Sequence, residues 1–145
     1  MPSLRFRDLS DFGMRGVRQM IADADQLDIE MHREIHRRVA RETEDRTPVA
    51  AVGGGDMKRS WHSTSGGSRS KTSLESALSE INRSGMKSSR VNDAAHARVI
   101  DAGKSAAHPH GSSQAPNGVS KPAMSAVESD LDNIRSEVIR RVLAK

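Results

Sequence analysis

The sequence contains no cysteine and no tyrosine, and its only aromatic residues are Phe6, Phe12 and Trp61. Without cysteine there is no disulfide framework, thiol nucleophile or cysteine zinc site. Aromatics at 2% leave a large sandwich or barrel of aromatic strands without support, so helices have to supply most of the burial. No apolar run approaches the length of a membrane span, and the N-terminal stretch MPSLRFRDLSDFG lacks the apolar region of a signal peptide. The expectation is a soluble protein, made in a cytoplasm and without a membrane partner.

What is present is modest. The 145 residues suffice for one domain and not for two independent cores. Apolar residues make up 34%, so that core is lean. Lys and Arg total 23 against 19 Asp and Glu, a formal net charge of +4, with an isoelectric point near 10.0. This balance favours an acidic neighbour or nearby nucleic acid, but falls short of the Lys/Arg density of a DNA-packaging protein.

Between Asp11 and Thr43, the residues Met14, Val17, Ile21, Ala24, Leu27, Met31, Ile35 and Val39 recur every three or four positions, predicting an amphipathic helix over 11–43. Ser10 or Asp11 can cap its start. Thr47-Pro48 stops it, because the residue before proline is pushed out of the helical region. Residues 52–73 read as a glycine turn, a strand from Lys58 to Thr64 anchored by Trp61, and a polar mobile loop, SGGSRSKTS. Leu74, Leu78 and Ile81, behind Thr72 or Ser73 as cap, predict a short helix over 74–82. Two short strands are expected within 88–100, at 88–92 and 96–100, followed by a long irregular loop over 103–121. Pro122 opens the last helix, 122–143, whose apolar stripe is Met124, Val127, Leu131, Ile134, Val138 and Val142. The fold class is therefore α+β, a single domain over 1–145 with long N-terminal and C-terminal amphipathic helices on a small antiparallel sheet with long loops. A sheet so small fits a component of an assembly whose neighbours cover its edges.

Chemistry-bearing clusters are few. His108-Pro-His110, with His96 and Asp101, brings metal-ligand types together, but it sits in an irregular loop without Glu-x-x-His spacing, so solvated histidines are expected. His32 and His36 stand at i and i+4 with Glu30 and Glu34 nearby. The order His32-Arg-Glu-Ile-His36 puts the glutamate one place later than a helical zinc protease needs, and a polar helix face is expected. There is no Gly-x-Ser-x-Gly elbow, and no Walker loop, since Lys58 follows Asp56-Met57. No catalytic residue, metal or cofactor is expected. For nucleic acid, Arg33, Arg37, Arg38 and Arg41 on the first helix, with Lys58, Arg59, Arg69, Lys71, Lys87 and Arg90 further on, allow weak phosphate contacts without base readout. Lys58, Arg59, Arg69 and Lys71 are the candidate contacts to channel DNA or an acidic partner.

Three segments, in order, carry a family resemblance. They are Thr47-Pro48-Val49 followed by a glycine turn and Met57-Lys-Arg-Ser-Trp61; Val91-Asn92-Asp-Ala-Ala-His96-Ala97 running to Asp101-Ala-Gly103; and Gln114-Ala-Pro-Asn-Gly118-Val119 leading into the last helix. The arrangement resembles the tail-completion or neck proteins of tailed bacteriophages over most of residues 20–140. In that family a long N-terminal helix ends at Thr-Pro-Val before Thr-Gly-x-Leu-x-x-Ser and a strand. Asn-x-x-x-Tyr-Ala then precedes an acid-x-Gly, and a Pro-x-Gly turn opens the C-terminal helix. Here the glycine-rich 52–57 stretch replaces the Thr-Gly-x-Leu, His96-Ala97 stands at the Tyr-Ala position, and Asp101 stands where Glu is common.

The resemblance implies a non-enzymatic structural virion protein of the phage neck, of tail-completion or tail-terminator type, assembled in the host cytoplasm. It implies a homo-oligomeric ring, with the tail tube and a head-closing or adaptor ring as partners and non-specific contact with packaged DNA. Trp61, His96, Asp101, Gly103, Pro116 and Gly118 become candidate subunit-interface or docking-loop residues. The rival reading, from composition, is a small basic DNA-associated protein.

Overall fold

The computed structural model describes residues 14–49, 55–65, 71–82 and 88–144. In chain order its elements are α1 (Met14–Arg46), α2 (Asp56–Arg59), β1 (Trp61–Ser65), α3 (Leu74–Glu80), β2 (Ser88–Asn92), α4 (Ala97–Asp101), α5 (Ser120–Ser129) and α6 (Leu131–Leu143). The expected caps Ser10 and Asp11, most of the glycine turn, and Arg69 and Lys87 lie outside the described residues. The architecture is mixed helix and strand, with a long N-terminal helix and one two-stranded antiparallel sheet among the described residues. In the sheet Trp61 lies opposite Asn92 and Ser65 opposite Ser88, and Ser63 makes an isolated bridge to Thr72 on the other side of β1.

The 33-residue α1 is the spine, about 50 Å long at 1.5 Å per residue. It runs past Thr43 because threonine hydroxyls hold the last turn. Thr43 Oγ1 donates to the carbonyls of Val39 and Ala40, and Thr47 Oγ1 to that of Thr43; Pro48 then ends the helix. α1 packs chiefly on the C-terminal helices and, to a lesser extent, on α3 and β2. Met31, Ile35 and Val39 pack with Val127, Ile134 and Val138 of the C-terminal helices, while Met57, Ala97, Ala115 and Val119 form a second small cluster with Trp61. Residues 18–24 are all exposed, Ile21 at 49%, so the apolar stripe serves internal packing only from Leu27 onward.

Several expectations are corrected. The 96–100 segment is helix α4 instead of a strand. Asn92 Oδ1 accepts the Ala94 N–H and turns the chain out of β2, after which Ala97 and Ile100 share one inward face. Lys58 and Arg59 belong to the single turn α2, whose Met57 is buried, and the strand starts only at Trp61. The last helix begins at Ser120 and is divided at Asp130. There Ser129 bonds back to the Ser125 carbonyl, and the Asp130 carboxylate accepts from Asn133, both local competitors of helix propagation. α5 and α6 pack chiefly on α1 instead of on the sheet. The short helix 74–82 closes at Glu80, with Ser73 as its cap, accepting the Ser76 N–H at 3.1 Å.

Candidate functional site

Most of the residues singled out from sequence meet at one junction. Asp101, the last residue of α4, is the N-terminal cap of α5 although it lies 19 positions upstream of Ser120. Its Oδ1 accepts the N–H groups of Val119 at 2.9 Å and Ser120 at 2.7 Å, and its Oδ2 accepts the Ser120 hydroxyl. Burial raises its pKa, but the hydrogen bonds from the Ser120 side chain and from both backbones outweigh this and hold the carboxyl below its ordinary value. Gly118 has φ +82°, and a Cβ there would collide with the Asp101 carbonyl oxygen. Gly103 shares that φ and abuts the Pro116 carbonyl, which accepts the Lys104 N–H at 2.9 Å. The irregular 102–119 segment is thus an excursion tied at its neck. Trp61 Nε1 donates to Thr47 Oγ1 at 2.7 Å, and Asn92 Nδ2 to the Met57 carbonyl at 2.6 Å. His96 is exposed at the opposite end of α4 and joins none of this.

The sequence reading missed a buried polar network. Glu34 and His36, expected on a solvated face, are 4% and 5% exposed. Both nitrogens of His36 are engaged: Nε2 with Ser63 Oγ at 3.0 Å, and Nδ1 with Ser88 Oγ at 2.8 Å. Arg90, ion-paired with Glu44, also donates to Ser63 Oγ at 3.1 Å. Ser63 is fully buried, so once it accepts from Arg90 its own proton has one acceptor, His36 Nε2. That fixes His36 as the Nδ1–H tautomer, a donor to Ser88. Burial, and then the charge of Arg90, lower the pKa of His36. The histidine therefore cannot accept the Ser88 proton at Nδ1, and the network acts as a connector between α1 and both strands. Glu34 gathers Arg37, Arg38 and Arg141. Burial pushes its pKa up, and these guanidiniums pull it below the ordinary value.

Most of the expected cations have a partner within the chain, Arg59 and Lys71 at the exposed surface. Arg33 donates to the Leu78 and Ile81 carbonyls at the end of α3, Arg59 pairs with Asp56, and Lys71 with Asp93. Arg37, Arg38 and Arg90 are held as above. Lys58 and Arg41 are exposed. His32 Nδ1 bonds the Asp28 carbonyl, and His108 and His110 are exposed in the loop. Among the described residues no three metal-ligating side chains converge.

A groove of about 970 Å³ lies between α1, β2, α4 and α5. Ile35 and Val39 of α1 form one wall and Met124 of α5 the other, with Trp61 and Met57 between them. All five β2 residues, those of either sheet face, line it, so it is the strand's edge that opens into the groove. Such an arrangement can hold a polypeptide or another apolar body. No family model, curated protein or solved structure matches the chain.

Proposed function

We propose that this chain is a structural subunit of the phage head-to-tail junction, located in the virion neck or tail, that completes the tail and joins it to the head. The observation that carries the reading is the convergence of the segments that bear the family resemblance. Thr47 is bonded to Trp61, Asn92 to Met57, and Asp101 to the backbone beside Gly118. No helix among the described residues is long and apolar enough to cross a membrane, which suits a particle component. In this reading the subunit enters a ring, with the tail tube on one side and a head-closing or adaptor ring on the other.

Electron microscopy of lysates from the parent virus with this gene disrupted tests the proposal. Filled heads and separate tails are the expected products. Intact infectious particles would overturn it, and steeply salt-dependent retention of the purified chain on duplex DNA would then favour a DNA-associated role.

A further inference from the structure

Among the described residues β2 has one edge without a strand partner, and the hydrogen-bond pattern shows which groups it offers. The N–H and C=O of Ser63 pair with Thr72, on the side away from β2. Ser63 and Arg90 are therefore a non-hydrogen-bonded pair of the ladder, and by alternation so are Trp61 with Asn92 and Ser65 with Ser88. The Asp93 N–H donating to the Ser60 carbonyl continues the same alternation. The backbone groups of Ser88, Arg90 and Asn92 consequently point away from β1, into the groove, and have no backbone partner among the described residues.

We infer that this edge takes a β-strand from another protein, an extended segment with apolar residues at alternate positions and at least one carboxylate. An edge of aligned donors and acceptors is matched by an extended backbone and not by a helix. Alternate side chains of such a strand would fall on the apolar walls, where Val91 and Met124 are 36% and 44% exposed. The carboxylate follows from charge. Asp101 is occupied by its three donors and the charge of Arg90 is met by Glu44, whereas the exposed Arg98 guanidinium in the groove wall has no partner among the described residues. A second copy of the chain pairing β2 with β2 fits poorly, because β2 (Ser88–Asn92) carries no carboxylate for Arg98 and only Val91 as an apolar residue. The inference does not rest on the phage-neck reading.

The test is selection by the purified full chain from a displayed library of random twelve-residue peptides. Enriched peptides should alternate apolar and polar residues and carry Asp or Glu. Methylating alternate backbone nitrogens of the best peptide should weaken binding at least about tenfold by removing its edge hydrogen bonds, and Arg98→Glu, an exposed change, should shift the preference toward Lys. Enrichment of helix-patterned or basic peptides, indifference to N-methylation, or no enrichment overturns the inference. Self-association that protects the Arg90 amide without peptide enrichment would assign the edge to a second copy and overturn it as well.

Discussion

Replacing Ser63 with alanine breaks the link between α1 and the sheet at its most enclosed point. The hydroxyl is the partner of His36 Nε2 and of one Arg90 N–H, and its loss leaves both groups without it in a place water does not reach. An unsatisfied buried group costs about 1–3 kcal/mol. Arg90 keeps Glu44 and loses less, so the sum is about 3 kcal/mol, a large share of the roughly 5–15 kcal/mol that holds a domain together. Urea unfolding followed by circular dichroism should show a lower midpoint with an unchanged slope. Nitrogen-15 spectra of the native histidines should place the proton of His36 on Nδ1, and in Ser63→Ala this tautomer should lose its bias. A loss below about 0.5 kcal/mol, or a native proton on Nε2, would refute the reasoning. The same network sets a pH response. The folded pKa of His36 lies below its ordinary value of 6.5, so the unfolded chain binds the proton first. Stability is full above that value and falls as pH drops from it toward the folded pKa, by up to about 1.4 kcal/mol per pH unit between the two.

Glu34→Gln removes the shared partner of Arg37, Arg38 and Arg141; with Glu137 and Glu30 still serving two of them, the expected loss is about 2–3 kcal/mol by denaturant titration. Because the Glu34 pKa is depressed in the fold, its contribution is present above the ordinary carboxylate range and disappears as pH falls through the folded value, a loss the Gln variant should not show. Asp101→Ala should cost about 1–2 kcal/mol as a lost cap, and Gly118→Ala about as much from its left-handed backbone alone, both read as lower melting temperatures. In hydrogen exchange on the isolated chain, the Lys104 amide should be protected by its bond to Pro116, while those of Ala106 and Ala107 exchange near the free rate.

Local rules made some of this legible. The Pro48 stop, the Ser73 cap, strand β2 and the stripe through Val127, Ile134 and Val138 depend on neighbours in sequence, and each can be read from a few residues. What escaped depends on distant partners. Periodicity ranks residues by apolarity and so placed Glu34 and His36 outside, yet their burial is made tolerable by Arg141, 107 positions away, and by serines on two strands. Arg33 looked like a phosphate contact because nothing local says that it closes α3. The short run Ala97-Arg98-Val99-Ile100 fits either period, and the turn made by Asn92 decides it. Asp101, Gly103, Pro116 and Gly118 were visible as a set, but as docking residues; their mutual contacts, which make them a fastening of the fold, needed the three-dimensional arrangement.

Because α1 is continuous from Met14 to Arg46, its bare end and its groove-lining end move as one rod. Ile21 and Ile35 are about 21 Å apart along it. A neighbour that gripped residues 18–24 would hold the same helix that carries Ile35, His36 and Val39 into the groove. If the two sites were coupled through the helix, reciprocity would require whatever fills the groove to act back on the grip with the same free energy. Anything that engaged residues 18–24 would thus be linked, through one uninterrupted helix, to whatever occupies the groove.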